Sequence, residues 1–329
     1  MLEVFSMEYV LAVDLGATNI RVALGTRDGK ILSKVKEKTV RHGDEHAIAN
    51  QIVKIINKHF FHAIRYSLGL GIGSIGPLDL KKGRIVNPAN LPFKTVELKE
   101  PLEEKLGLEV KILNDAVAAV WGEKVFGIGR NVRNLVYVTL STGIGAGVIV
   151  DDHLLIGKDG NAHEVGHIVV DFNGTMRCGC GKLGHWEAYV SGRNIPKYAE
   201  YLVRTKFPQL LSTSSLKKYF DEGMLTAEIL FREAKSNDPL ALRIIEEIGK
   251  INAAGFASII NAYDPELITI GGAIALNNSE LVLKYLTKYL DLYILNRKPE
   301  IKITPLGEDI VLYGALALIV KPPLYYSKP

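Results

Sequence analysis

One pattern occurs twice in this chain. Near the start, "EYVLAVDLGATNIRVALGTRDGKIL" reads as an apolar strand, a short glycine-bearing loop, a second strand, an Asp28-Gly29 turn and a third strand. Midway, "NLVYVTLSTGIGAGVIVDDHLLIG" repeats the order: strand, small polar loop from Ser141 to Gly145, strand, acidic turn, strand. A pattern shared by the heads of two halves predicts two domains of related topology facing one another. At 329 residues the chain is long enough for each to bury its own core.

The rest supplies strands and helices in alternation. Glu45 to Phe61 has helical spacing of Ile, Val and Phe, and "YSLGLGIG" reads as a buried strand. "VKILND" is a short strand leading into the Ala-rich helix "AVAAVWGEKVFG", with Asn114 and Asp115 at its N-terminus. A long helix runs to Asp264-Pro265, followed by the strand "ELITIGG" and a helix near Leu281 to Tyr293. "VLYGALALIV" is a final apolar helix, expected to return to the first domain. Thr205 to Asp221 shows the least pattern and is expected to be a surface excursion. The alternation predicts an α/β fold.

Several function classes are disfavoured. The net charge is only +4 and no block of Lys and Arg forms a nucleic-acid arm. No apolar run reaches the length of a membrane span, and the start is unlike a secretory signal. The only two cysteines, Cys178 and Cys180, stand too close in sequence for an ordinary disulfide. The expectation is a cytoplasmic protein.

Glycine-bearing turns after strands present main-chain N–H groups to anions. "DLGATNIR" pairs Asp14 with Gly16, Ala17, Thr18 and Asn19, and "LSTGIGAG" offers Thr142 with its glycines. A third run, Gly71 to Gly76 in "GIGSIG", matches the dinucleotide spacing, but Pro77 follows where a helix should open. No G-x-x-x-x-G-K-[ST] occurs. Each loop alone reads equally as a tight turn. Two matched loops, one per domain, could grip one polyphosphate from both sides, with Asp14 holding the Mg²⁺.

"DLGATNIR", "GIGSIGPLD", "NPANLPF", "LNDAVAAVWGE", "STGIGAGVI", "HEVGH", "CGCGKLGHWE" and "ITIGGAI" follow in an order that resembles the ROK family (repressors, open reading frames, kinases), and within it the archaeal-type ATP-dependent hexokinases. The resemblance runs almost the whole length. It implies a two-domain actin-like (RNase H-like) fold with the sugar in a cleft between a smaller and a larger domain. The smaller would comprise residues 1–114 plus 308–329, and the larger 115–307. Its implied activity is transfer of the γ-phosphate of ATP to the 6-hydroxyl of glucose and related hexoses, with Mg²⁺.

By similarity, Asp115 would be the base that takes the 6-hydroxyl proton. Its plain alternative is a helix N-cap, and both can hold, since a helix N-terminus favours a carboxylate. The positions matching sugar ligands are Gly76, Asn90, Asn114, Asp115, Glu164, His167 and Glu187. Those matching ATP and Mg²⁺ contacts are Asp14, Gly16, Ala17, Thr18, Asn19, Arg21, Ser141, Thr142, Gly143, Gly145, Gly271 and Gly272. Asn90 reads otherwise as a turn residue, and Glu164 with His167 as one polar helix face.

Zinc-bearing members carry C-x-C-G-x-x-G-C with an upstream His. Here His167, Cys178 and Cys180 match, and His185 replaces the third cysteine. The set is chemically acceptable for a structural Zn²⁺; the alternative is two reduced thiols in a glycine-rich turn.

Rival functions stay open at this point: a kinase for N-acetylglucosamine, N-acetylmannosamine or another sugar, a sugar-responsive regulator, or an actin-like ATPase. A regulator of the usual design carries a winged-helix module, which is not expected with 13 residues ahead of Asp14. Family habit implies a homodimer.

Overall fold

The computed structural model describes residues 8–88 and 90–326. Residues 1–7 and 327–329, the ends of the expected smaller domain, and Ala89 of the "NPANL" run lie outside them.

The first copy of the pattern folds into β1 (Tyr9–Leu15), β2 (Asn19–Thr26) and β3 (Ile31–Lys38), an antiparallel meander. The helix Ala47–His59 leads into β4 (Ser67–Ser74), which pairs in parallel with β1 and is buried from Gly69 onwards, so it reads as a continuous apolar run. Three short strands, β5 (Leu78–Asp79), β6 (Arg84–Val86) and β7 (Thr95–Glu97), form a separate small sheet. β8 (Val110–Asn114) completes the main sheet alongside β4, giving the order β3-β2-β1-β4-β8.

The second copy gives β9 (Leu135–Leu140), β10 (Ile144–Val150) and β11 (His153–Leu154), later joined by β12 (Leu267–Gly271) and β13 (Glu300–Ile303). Its order is β11-β10-β9-β12-β13. In both five-stranded sheets the strands, taken along the chain, stand third, second, first, fourth, fifth. The echo in sequence is an echo in topology.

The chain divides into two compact units. One comprises Met1–Tyr137, Gly147–His163 and Thr304–Pro329; the other comprises Val138–Ala146 and Glu164–Ile303. In the first unit the final helix, Ile310–Val320, sets Leu312, Ala315 and Leu316 against Val10, Ala12 and Ala23 of the sheet. The approach is very close. A Cβ on Gly71 would stand 1.8 Å from the Ala315 carbonyl oxygen, and one on Gly314 would stand 2.0 Å from that of Ala118. Gly71 and Gly73 of "GIGSIG" make room for this helix, since a Cβ on Gly73 would come within 2.4 Å of the Val311 side chain. They admit a helix rather than a dinucleotide, and after Ser74 the chain continues into β5 with no helix, as Pro77 led us to expect.

In the second unit the helix Pro239–Tyr263 is capped by Asp238, which accepts the Ala241 N–H at 2.9 Å, and ends at Asp264 with φ of 45°. The stretch from Thr205 to Asp221, expected as a surface excursion, is more ordered than that. It holds two short helices, buries Phe207 and Leu216, and donates the Ser214 hydroxyl to the Asp238 cap. Its anchors are nine residues apart, a spacing that follows neither the helix nor the strand period. No helix among the described residues is long and apolar enough to cross a membrane.

Candidate active site

In the first unit, β1 ends at Leu15 and β2 begins at Asn19, so Gly16, Ala17 and Thr18 make the turn. The Gly16 N–H donates to the Asn19 carbonyl at 3.0 Å, closing it. The pairing sets Asp14 opposite Arg21. Arg21 Nε and Nη2 both donate to Asp14 Oδ2, Nε at 2.7 Å, and Nη1 donates to Asp309 Oδ1 at 3.1 Å. Arg21 therefore leaves Asp14 Oδ1 to other partners. Burial pushes the Asp14 carboxyl above its ordinary value, against the lowering pull of Arg21.

Asn114 ends β8 and caps the helix Asp115–Val125, its side-chain oxygen accepting from the N–H groups of Ala116 at 3.0 Å and Val117 at 3.4 Å. That cap commits the amide oxygen to the helix. The amide nitrogen faces Gly76, where a Cβ would lie 3.8 Å from it. Asp115 follows at the first helical position, half-buried, where the positive end of the helix favours a carboxylate. The structure thus brings Gly76, Asn114 and Asp115 together. Asn90 is exposed, inside the turn that the Leu91 N–H closes on the Pro88 carbonyl.

In the second unit, the Ser141 N–H donates to the Gly143 carbonyl at 3.0 Å, forming a turn ahead of β10. The carbonyls of Ser141 and Thr142 accept from the N–H groups of Gly192 at 2.7 Å and Arg193 at 3.3 Å. Glu187 Oε2 accepts the Ile144 N–H at 2.9 Å. The segment 187–193 therefore holds the loop, a relation the sequence reading missed. Its only trace there is Gly192, where a Cβ would crowd the Ser141 carbonyl at 3.0 Å. Gly271 ends β12. Gly272 has φ of 83°, and a Cβ on it would meet the Leu140 carbonyl at 2.5 Å.

The cysteine loop lies in the same unit. Trp186 is its anchor: fully buried, it donates its indole N–H to Asn252 at 3.0 Å and lies where any Cβ on Gly255 would clash. Asp171 organises the other side, accepting the Tyr189 hydroxyl at 2.5 Å and the N–H groups of Asn173 and Thr175 at 3.0 Å. Although burial opposes it, those hydrogen bonds hold the Asp171 carboxyl below its usual range, and burial beside Asp171 pushes Tyr189 up to about 12.

Between these braces His167, Cys178, Cys180 and His185 converge, with one potential ligand atom from each inside a 4.8 Å span. His167 Nδ1 is 3.2 Å from His185 Nδ1 and 3.8 Å from Cys178 Sγ, and Cys180 Sγ is 3.3 Å from His185 Nδ1. The other ring nitrogen of His167 lies 3.7 Å from Glu164 Oε2. His167 thus stands between the thiols and Glu164. Burial pushes the Cys178 thiol up to about 11, and burial with the neighbouring His167 lowers His185.

Two five-stranded sheets of one strand order, each with a turn of small residues after its first strand, define an actin-like sugar-kinase fold. The chain belongs to the ROK family, whose model matches residues 10–321. It is 41% identical to the glucokinase of Pyrobaculum calidifontis over 96% of this chain and 97% of that one. Identity to the glucokinase of Aeropyrum pernix is 36%, over 96% and 98%. A crystal structure of a ROK family glucokinase from Streptomyces griseus in complex with glucose and AMPPNP superimposes with a TM-score of 0.74 at 30% identity, covering 94% of this chain and 98% of that one.

Proposed function

We propose that this chain is a glucokinase-type hexokinase, transferring the γ-phosphate of ATP to the 6-hydroxyl of glucose and related hexoses. The observation that carries the reading is the half-buried carboxylate of Asp115, at a helix N-terminus beside the capping Asn114 and Gly76. Phosphoryl transfer asks a protein chiefly for alignment and charge stabilisation, together with an acceptor for the hydroxyl proton. Asp115 accepts that proton. Asn90, the Asn114 amide nitrogen, Glu164, His167 and Glu187 pair with sugar hydroxyls, and Gly76 leaves room for the ring.

The turns at 16–19 and 141–145, with Gly271 and Gly272, take the nucleotide through main-chain N–H groups. Mg²⁺, when bound, neutralises phosphate charge. Asp14 fits that role, because Arg21 engages only Oδ2 and leaves Oδ1 facing other partners.

The four-residue cluster fits Zn²⁺. A tetrahedral ion with bonds of about 2.0–2.1 Å to nitrogen and about 2.3 Å to sulfur sets N···N edges near 3.3 Å and N···S edges near 3.5 Å. Here the N···N edge is 3.2 Å and two of the N···S edges are 3.3 and 3.8 Å, with all four ligand atoms within 4.8 Å of one another. Bound there, the ion would pin the loop and fix the His167 ring, leaving its second nitrogen for the sugar side. A homodimer in the cytoplasm belongs to the same reading, in keeping with two thiols that form no disulfide.

The test is ADP release from Mg²⁺-ATP across hexoses and their 2-amino and 2-acetamido derivatives. Turnover that depends on glucose supports the reading. Preference for a 2-acetamido sugar would move it to an N-acetylhexosamine kinase, and sugar-independent release would move it to an ATPase.

A further inference from the structure

The turn assigned to the nucleotide does not hold its own carbonyls. All three are taken by the segment just after β3. Thr39, almost fully buried, donates its hydroxyl to the Gly16 carbonyl at 2.7 Å and its N–H to that of Thr18 at 3.1 Å. The Ala17 carbonyl accepts from Arg41 Nη1 at 3.3 Å. That same nitrogen donates at 3.0 Å to the carbonyl of Asn90, 49 residues further along. An Nη1 group carries two hydrogens, one for each carbonyl. The segment itself is fixed, since Gln51 on the helix Ala47–His59 accepts the Val40 N–H at 2.9 Å and donates to the Lys38 carbonyl at 2.8 Å.

We propose that Arg41 is a positioning residue that couples the two substrates, joining the nucleotide turn at Ala17 to the sugar loop at Asn90 within the first unit. Asn90 is an exposed turn residue and Ala17 a partly exposed one, and Arg41 hangs from an anchored strand end between them. A shift of the Asn90 carbonyl on sugar binding therefore moves or frees the hydrogen that holds the Ala17 carbonyl. Because coupling is reciprocal, nucleotide at the turn must favour sugar at the loop by the same factor. Arg41 touches neither substrate in this account; it acts through two main-chain oxygens. The proposal rests on the assignment of Asn90 to sugar and of the 16–19 turn to nucleotide.

Titration calorimetry tests it on the full chain, with glucose affinity measured with and without saturating Mg²⁺ and a non-hydrolysable ATP analogue. The expected wild-type result is glucose binding tighter by about fivefold or more with the analogue present. In Arg41→Ala that ratio should fall to within about twofold of one. Arg41→Lys should restore part of it, because its ammonium can donate to both oxygens. A ratio in Arg41→Ala equal to the wild-type ratio overturns the proposal, as does the absence of coupling in the wild type. Asn90→Ala separates the two possible failures. An unchanged glucose affinity there removes the sugar assignment of the loop, and the proposal with it. Weakened affinity in Asn90→Ala together with an intact ratio in Arg41→Ala removes the coupling role alone.

Discussion

Glu187 Oε2 accepts the main-chain N–H of Ile144 at 2.9 Å, while Oε1 stands 3.9 Å from the Cys178 thiol. One carboxylate thus ties the turn before β10 to the cysteine loop. Gly143 is part of the same fit, since a Cβ there would come within 2.7 Å of Oε2. Glu187→Ala should lower kcat/KM for glucose by about 10–100-fold, the loss expected for a charged hydrogen bond, and should raise the KM for ATP as the turn loosens. Glu187→Gln keeps a carbonyl acceptor and should lose less than about tenfold. Steady-state kinetics with both substrates varied would check this. Equal losses in the two variants would assign the effect to charge and not to the hydrogen bond.

Asp115 can be separated from its helix. Asp115 Oδ1 accepts the Ala116 N–H at 2.8 Å, and the amide of Asp115→Asn keeps an oxygen for that bond, so the variant should fold normally. It cannot take a proton. Turnover should fall by about 10²–10⁴-fold with glucose affinity within a few-fold of wild type. Single-turnover assays alongside calorimetric glucose titration give both numbers. Near-normal turnover would remove Asp115 as the base.

Much of this was legible in the sequence because it rests on short-range rules. The repeated strand–turn–strand pattern announced a repeated topology, which appears as two sheets of one strand order, and Asn114-Asp115 before an Ala-rich run announced a helix N-terminus, although the cap is Asn114 and not Asp115. What sequence did not reveal depends on contacts between distant segments. Gly71 and Gly73 mimic a phosphate fingerprint, but Gly71 makes room for Ala315, almost 250 residues away in the chain. Nothing in a single sequence separates a glycine needed for a ligand from one needed for a helix. The hold of Gly192 and Arg193 on the Ser141 turn is of the same kind, since main-chain hydrogen bonds are indifferent to residue type and the one glycine they leave behind does not say what it approaches. Cys178, Cys180 and His185 lie in one short run, but that His167 presents Nδ1 to them and Nε2 to Glu164 is a matter of ring orientation.

The cysteine loop offers a metal prediction. Purified protein should carry about one Zn²⁺ per chain by atomic spectrometry, as a four-ligand structural site would. Cys178→Ser and Cys180→Ser should each lose it. Because ligand binding needs a thiolate and neutral imidazoles, zinc retention should fall as pH drops. Chelation should lower the unfolding midpoint and weaken glucose binding more than ATP binding, since the braced residue is His167. Metal-free protein with an unchanged midpoint would leave the cluster as a hydrogen-bonded turn.

Glu123 gives a pH-dependent stability that involves none of the proposed substrate contacts. It is fully buried in the first unit, with Thr304 donating its hydroxyl to Oε1 and Ile128 donating its N–H to Oε2 at 3.1 Å. No Lys, Arg or His pairs with it among the described residues. Burial raises its carboxyl above the ordinary 4.5, more than these two hydrogen bonds lower it. Above the unfolded-state value the folded state then binds more protons than the unfolded one, so stability falls as pH rises. The contribution is complete below the unfolded value and is lost as pH climbs through the folded one. Glu123→Gln copies the protonated form, its amide donating to Thr304 and its carbonyl accepting from Ile128, and has nothing to titrate. Urea unfolding of both proteins between about pH 5 and about pH 8 should show the variant gaining on wild type as pH rises, then holding a constant lead once Glu123 is ionised. Parallel curves across that range would mean that Glu123 keeps an ordinary affinity for its proton despite its burial.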